Sequence, residues 1–113
     1  MKIKTAELTG PALDWAVAKC EEGWILETNS FISHHQLGRM NFSTKWELGG
    51  PIIERGIVSI DKEEGGKRWV AFAWRTDRDL QKSIGPTPMI AAMRCYVASR
   101  LGEEVEIPKE LTT

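Results

Sequence analysis

The segment from Thr87 to Gly102 constrains the fold of this chain more than any other part of the sequence. Thr87 is a good helix N-cap, Pro88 suits the first helical position, and Gly102 can adopt the left-handed conformation that ends a helix. Between them nearly every residue is apolar or small. Such a helix has no polar face for solvent, so it must be buried on two sides, and its small side would let another backbone approach closely.

Two apolar runs, residues 57–61 and 68–74, flank a Gly-containing loop and predict an antiparallel β-hairpin. Both faces of the second run are apolar, which predicts a central strand. Tryptophans at positions 24, 69 and 74 fall in predicted strands, where we expect them to fill the core. Shorter runs predict further strands at 2–6, 24–29 and 105–107.

A second helix is predicted at residues 11–22, because Pro11 suits a helix start and Gly23 suits a helix end. One apolar face of this helix consists of Leu13, Ala16, Val17 and Cys20. Trp15 lies on the opposite side, where we expect a second packing surface, since a large exposed aromatic is uncommon in a soluble monomer.

Two segments are rich in polar and turn-forming residues, 30–51 and 75–83, and we predict that both are mostly loop. Within the first, Gly49-Gly50-Pro51 predicts a turn, and residues 51–55 predict a single helical turn. A loop of this length is unusual in a small domain, so it is either functional or wrongly assigned.

These elements predict one α+β domain over residues 1–113, because the length suits a single core. We expect a small antiparallel sheet, consisting of a hairpin at 57–74 and short strands, packed against two main helices at 11–22 and 88–101. Residues 103–113 are expected to form an acidic C-terminal extension.

Charge is balanced overall, with 15 Lys and Arg against 16 Asp and Glu, which disfavours nucleic acid and membrane surfaces as partners. Residues 67–100 carry seven basic against two acidic residues, and the acidic extension follows. Either this stretch faces a phosphate-bearing partner or the extension neutralises it, and we favour neutralisation. The N-terminus lacks the apolar run of a signal peptide, so we expect a cytoplasmic protein.

Residues that carry chemistry do not form a recognisable catalytic or metal-binding pattern. Cys20 and Cys95 lie in apolar helical patterns, where a thiol is usually inert. His34 and His35 are adjacent, and the sequence has no closely spaced ligand pairs of the kind that structural zinc sites use. We therefore expect no metal, no cofactor and no enzymatic activity.

A binding groove is the strongest functional candidate, because an aromatic residue, a flexible turn and a helix start fall near one another in the predicted fold. Arg94 flanks a helix face that we expect to be buried, where a guanidinium needs a partner. We predict a structural ion pair from Arg94 to Glu54 or Asp14. The candidate surface consists of Trp46, Gly49, Gly50, Glu54, Gly85, Thr87 and Arg94.

Three segments resemble a known family: residues 13–18 (LDWAVA), 49–55 (GGPIIER), and 85–88 (GPTP) leading into 90–99 (IAAMRCYVAS). Together with residues 102–108, they are similar to the NinX-like family of tailed-phage and prophage proteins. The similarity is weakest over residues 57–83. The resemblance implies a phage accessory protein that acts in the cytoplasm of a bacterial host. It implies no activity and no catalytic residues.

Two functions follow as hypotheses. The first is a non-enzymatic binding module for a host or phage protein, suggested by the small size and the surplus of Trp and Arg. The second is a protein that binds a small anionic, nucleotide-type ligand between residues 46–54 and 85–88. A third and weaker hypothesis, nucleic-acid binding through residues 67–100, would show a steep salt dependence. The small-residue helix face suits a monomer or a homodimer.

Overall fold

A computed structural model describes residues 1–28, 41–76 and 79–111. They form an α+β fold with one two-stranded and one three-stranded antiparallel sheet, which confirms the expected fold class. In chain order the elements are β1 (Lys2–Lys4), α1 (Gly10–Thr28), α2 (Trp46–Gly56), β2 (Ser59–Lys62), β3 (Trp69–Thr76), β4 (Asp79–Gly85), α3 (Pro88–Leu101) and β5 (Glu104–Glu106). Short 3₁₀ turns lie at Thr5–Glu7 and Lys109–Leu111.

Helix α3 is the centre of the core, as its sequence predicts. Thr87 Oγ1 accepts a hydrogen bond from the Ile90 amide at 3.1 Å, and Gly102, with φ 91°, donates its amide to Ala98 O. The helix contacts β3, β4, α1 and α2, so it is covered on more than one side. Its buried residues are Met89, Ala91, Ala92, Met93, Cys95, Tyr96, Val97 and Ala98.

The larger sheet has the order β2–β3–β4, so the predicted hairpin is present and β3 is central, as expected. Ser59 lies opposite Phe72, and Phe72 lies opposite Lys82. The turn between β2 and β3 contains Gly65 and Gly66, with φ of 101° and 82°. Only glycine adopts these angles without strain, which fixes the position of the turn.

Strand β4 occupies a segment that we predicted to be irregular, so the loop prediction was wrong over residues 75–76 and 79–83, and residues 77–78 lie outside the described part of the chain. Asp79, Gln81, Lys82 and Ser83 are polar, and the apolar alternation of a half-buried strand is absent. β4 pairs only with β3 and forms an edge of the sheet, where polar side chains are tolerated. The strand is therefore specified by its neighbour more than by its own pattern.

Strands β1 and β5 form the smaller sheet, with Ile3 opposite Val105. The Met1 ammonium donates to Glu106 Oε1 at 3.0 Å and to Ile107 O at 2.9 Å. The C-terminal strand is thus confirmed, shifted by one residue, whereas β1 is shorter than predicted because a 3₁₀ turn replaces residues 5–6. The acidic segment after α3 therefore contributes a strand to the fold.

Helix α1 continues six residues beyond its predicted end, and the strand predicted at 24–29 is wrong over residues 24–28. A short apolar run such as Trp24-Ile25-Leu26 suits a helix as well as a strand, so periodicity alone does not separate them. Asn29 lies outside the described residues. Trp15 is buried at 4% exposure, which confirms the second packing surface of this helix.

Helix α2 corrects the other loop prediction: residues 46–51 are helical and not loop, and residues 30–40 lie outside the described part of the chain. Gly49, Gly50 and Pro51 lie inside the helix, although this triplet predicted a turn. Packing explains the difference. A side chain at Gly49 would meet Met89 Sδ and Phe42 O, and Ile52 is 1% exposed, so tertiary contacts hold a segment of weak helix propensity in place.

Candidate functional site

The three-stranded sheet has one face against α3 and one outer face. Side chains directly opposite each other across two strands point to the same side, so the register assigns each residue to a face. On the inner face, Ala71 and Ala73 are fully buried. The outer face is defined by five apolar residues that do not belong to the packed core: Val70, Phe72, Trp74, Leu80 and Ile84.

Most side chains on the inner face are small because α3 lies very close to the sheet. A Cβ atom at Gly85 would stand 2.6 Å from Ala91 N, closer than real contacts allow. Ser83 is buried beside Cys95, whose thiol contacts Gln81 O at 3.4 Å. Apart from Trp69, which lies opposite Gly85 on the inner face, the large apolar side chains of β3 and β4 lie on the other side of the sheet.

Trp74 and Leu80 form the most exposed part of the outer face. They are directly opposite each other, and their exposed fractions are 56% and 44%. Trp74 also lines a cavity of about 240 Å³ with Val58, itself 55% exposed, and with Arg100. The expectation that Trp74 fills the core was therefore wrong, whereas Trp69 packs partly against it.

Cations border this apolar surface. Lys82 is exposed and lies on the outer face opposite Phe72. Arg75 makes only a loose contact with Asp79, at 3.7 Å between Nε and Oδ2. The Arg100 guanidinium lies over the Tyr96 ring at 5.1 Å. The surface therefore combines exposed apolar area with positive charge at its margin.

Near the same cavity, Glu21 holds Arg55 and Tyr96 together. One carboxylate oxygen pairs with the Arg55 guanidinium, and the other accepts the Tyr96 hydroxyl. Burial and this carboxylate raise the pKa of Tyr96 to about 12. The phenol stays protonated at neutral pH, so it acts as a fixed donor that ties α1 to α3.

A groove of about 810 Å³ runs beside the free edge of β4, and we call it the edge groove. One wall consists of the consecutive residues 81–86. The opposite wall is formed by residues 4–6 and by Glu103 and Glu104. Arg94 lies between the two walls, and Arg68 lies near one end, held by both carboxylate oxygens of Glu63.

Arg94 does not make the predicted ion pair, and that prediction was wrong. Its Nε donates to Leu8 O at 2.7 Å and its Nη1 donates to Ile84 O at 2.9 Å. No carboxylate of the described residues lies within ion-pair distance of it, and Asp14 accepts instead from Ser43 N at 2.8 Å. Burial lowers the pKa of Arg94. Main-chain carbonyls satisfy this guanidinium without neutralising its charge.

The candidate surface drawn from the sequence is divided between separate places. Trp46, 58% exposed, and Thr87 line a small pocket of about 260 Å³ together with apolar residues of α3. Gly49 is buried under Met89, whereas Gly50 has open space around it, and Glu54 is exposed on α2. Gly85 and Arg94 instead line the edge groove.

The buried titratable groups that the structure describes show no sign of chemical activation. Burial raises the pKa of both Cys20 and Cys95 to about 12, so each thiol is protonated at neutral pH. Burial also raises the pKa of Asp14, against the opposing effect of its hydrogen bonds from Ser43. Among the described residues no group of His, Cys, Asp and Glu has the arrangement of a metal site, and His34 and His35 lie outside them.

Sequence reasoning missed the outer face and the edge groove. The alternation of Ala71 and Ala73 with Phe72 and Trp74 was visible, and small residues on one face of a strand signal a close neighbour on that face. Leu80 and Lys82 carried no such signal, because their segment lacks an apolar period.

Comparison with known proteins agrees with the similarity noted in the sequence. No helix within the described residues is apolar and long enough to cross a bilayer. A search of curated proteins finds no match to the chain. A family model described as "Bacteriophage P22, NinX" matches residues 4–100, which include the three-stranded sheet, all of α2 and the edge groove except Glu103 and Glu104. The chain therefore belongs to the family of bacteriophage P22 NinX.

Proposed function

We propose that this phage accessory protein is a non-enzymatic binding module that engages a host or phage protein through the outer face of its three-stranded sheet. The carrying observation is the exposed cross-strand pair of Trp74 and Leu80 on a face whose apolar residues lie outside the packed core of the described residues. We expect it to act in the bacterial cytoplasm.

The energetics of protein interfaces support this choice. Tryptophan and arginine are enriched among the residues that dominate binding energy, and interfaces combine an apolar centre with a polar rim. Trp74 and Leu80 supply the centre, while Arg75, Lys82 and Arg100 supply a positive rim. Positive charge favours a partner whose surface is apolar in the middle and acidic around it.

The alternative hypothesis, a small anionic ligand between residues 46–54 and 85–88, has less support. The pocket that joins Trp46 to Thr87 is lined by Ser43, Thr44, Pro88, Met89 and Ile90 in addition. None of these residues carries a positive charge. An anion there would depend on the helix N-terminus alone.

Two tryptophans of equal exposure provide the test. Wild-type protein, Trp74→Ser and Trp46→Ser are immobilised and exposed to lysate of phage-infected host cells. Any retained protein is then purified, and its affinity for each variant is measured by calorimetry. We expect Trp74→Ser to weaken binding by roughly 30-fold or more, as for a residue at the centre of an interface.

Trp46→Ser controls for the general loss of an exposed indole, and we expect it to bind as the wild type does. Equal affinity of all three variants, or no protein that binds the wild type with measurable affinity, would overturn the proposal. Circular dichroism of each variant confirms that the fold is retained.

A further inference from the structure

The free edge of β4 presents main-chain groups to the edge groove. Phe72 O accepts a hydrogen bond from Val58 N at 2.8 Å, so the peptide groups of Phe72 point toward β2. Its opposite residue on β4, Lys82, must then direct its own N–H and C=O away from β3, because these groups alternate in side along a strand. By the same alternation Ile84 points outward, and its carbonyl does accept from Arg94, outside the sheet.

The shape of the groove suits an extended chain. Six consecutive residues, 81–86, form one wall, so the groove follows the direction of a strand. A neighbouring strand lies about 4.8 Å away in a sheet. The volume of about 810 Å³ is large enough for a peptide segment and exceeds what a single side chain would fill.

At this edge the outward main-chain acceptors already have donors, whereas the outward main-chain donors do not have acceptors among the described residues. Lys82 O already accepts from Gln81 Nε2 at 2.9 Å, and Ile84 O accepts from Arg94 Nη1 at 2.9 Å. Within residues 1–28, 41–76 and 79–111, no acceptor is found for the outward amides of Lys82 and Ile84, which are left as donors. Arg94 Nη2 has no hydrogen-bond partner among the described residues. The β4 side of the groove therefore offers donors and positive charge and favours a partner rich in acceptors.

The far wall restricts where acidic groups of a partner can lie. Glu103 and Glu104 are exposed there, and Glu104 lies opposite Lys4 in the smaller sheet. Because like charges repel, a carboxylate of the partner would be favoured beside Arg94 and Lys82 and disfavoured beside Glu104. The two walls thus define both the charge and the orientation of an occupant.

We infer that an extended segment of the partner protein, bearing at least one carboxylate, adds to the free edge of β4 as an additional strand, with that carboxylate against Arg94. This inference rests on the proposed function and specifies its binding mode. Strand addition would also continue the outer face, because side chains of the added strand would lie beside Leu80, Lys82 and Ile84. One partner would then use the edge and the outer face together.

The probe is a random ten-residue peptide library, selected against the full-length folded protein. We expect enriched sequences with aliphatic residues and at least one Asp or Glu in alternating positions. A synthetic peptide from this pool should protect the amides of Lys82 and Ile84 from hydrogen exchange in NMR spectra. Methylation of its central backbone nitrogens should weaken binding about tenfold or more, because the methyl groups keep the peptide backbone from approaching the edge of β4 as a strand.

Variants of the edge separate strand addition from simple charge attraction. Lys82→Pro removes an outward amide without removing a ladder hydrogen bond, since proline is tolerated where its nitrogen faces away from the sheet. We expect it to weaken the peptide at least tenfold, with Lys82→Ala losing less. Lys62→Glu, on β2 at the opposite edge, is the matched surface control and should leave the affinity within about twofold.

Three results would overturn the inference: no enriched peptide, binding unaffected by both Lys82→Pro and backbone methylation, or protection of the Lys82 and Ile84 amides that rises with protein concentration without peptide. The last result would assign the edge to a second copy of the chain. A captured partner that depends on Trp74 but not on the edge would retain the proposed function and reject strand addition. If Trp74→Ser does not weaken partner binding while the peptide results hold, strand addition is retained and the proposed role of the outer face is rejected.

Discussion

On the face of the three-stranded sheet that packs against α3, four residues of β3 and β4 are small, Ala71, Ala73, Ser83 and Gly85, and Trp69, opposite Gly85, is the large exception. On the opposite face the same strands carry much larger apolar side chains: Val70, Phe72, Trp74, Leu80 and Ile84. Soluble domains usually place their large apolar groups on the buried side of a sheet. Here the volume is distributed the other way.

These inner residues are small because α3 packs closely against the sheet. The helix presents Ala91, Ala92, Cys95 and Ala98, so its backbone approaches the sheet closely, and the core gains its larger volumes between α3 and α1, where Leu13 and Val17 are fully buried. Stability therefore depends on the inner face, which tolerates no added atoms. The large side chains of the outer face lie outside the packed core, and binding is the role that we propose for them.

Substitution at Gly85 should give the largest effect on folding. Gly85→Val places a branched side chain where even a Cβ atom would stand 2.6 Å from Ala91 N, a backbone atom that cannot rotate away. We expect a loss of about 3 kcal/mol or more in the free energy of unfolding, the upper range for overpacking. Urea denaturation followed by tryptophan fluorescence measures it.

Gly50 supplies the control. It lies inside α2, and a Cβ atom there would meet nothing within 4 Å apart from its chain neighbours. Gly50→Ala should change the stability by less than about 1 kcal/mol, because the gain from replacing a helical glycine is opposed by the contact of the new Cβ atom with the ring of Pro51. Destabilisation of similar size at both positions would show that the contact of Gly85 with α3 is not what limits that site.

The next effect compares the two faces of β3 directly. Ala73→Leu adds volume to the inner face, where Ala73 is 0% exposed, and should destabilise the protein by about 1–3 kcal/mol. Trp74→Ser removes a large side chain from the outer face, where it is 56% exposed, and should change stability by about 0.5 kcal/mol or less. Denaturant midpoints at constant m-value give both numbers.

The variants Ala73→Leu and Trp74→Ser can also contradict the comparison between the two faces of the sheet. If Trp74→Ser proves the more destabilising change, the outer face belongs to the folding core and its exposure would need another explanation. The binding measurement should show the reverse order, because Trp74→Ser is expected to weaken partner binding by roughly 30-fold or more while leaving the fold intact. A side chain that matters for binding and not for stability is the signature of an interaction surface.

Sequence reasoning succeeded where local signals and packing agree. Thr87, Pro88 and Gly102 fixed both ends of α3, and the glycines of the β2–β3 turn identified the hairpin. Burial of Trp15 followed from the rarity of large exposed aromatic side chains in soluble proteins. In each case the residue type alone requires the observed backbone or environment.

It failed where a distant neighbour supplies the structure. β4 is a polar strand that exists because β3 pairs with it, and α2 contains Gly49-Gly50-Pro51 because contacts with Met89 and Phe42 favour a helix there. The partner of Arg94 was wrong for a related reason: carbonyls of Leu8 and Ile84 meet it, and a sequence pattern does not show where main-chain carbonyls point. The candidate site inherited these errors, since only Gly85 and Arg94 line the edge groove.

The pH dependence of stability tests how tightly the inner face excludes water. Cys95 is fully buried against β4, and burial raises the pKa of its thiol to about 12 from an ordinary value of 9.0. The folded thiol therefore stays protonated when the unfolded thiol ionises. Its contribution to stability is fully present below pH 9 and is lost as the pH rises toward 12.

Between pH 8 and pH 10 this linkage should cost the wild type about 1 kcal/mol per buried thiol. Cys95→Ala removes one such group, so its stability should fall by about 1 kcal/mol less over the same interval, while Cys20 and Tyr96 titrate alike in both proteins. Urea denaturation at the two pH values measures the difference. Equal losses would mean that the Cys95 thiol ionises as readily in the folded chain as in the unfolded one. The inner face would then admit water, and the contrast with the outer face would rest on side-chain size alone.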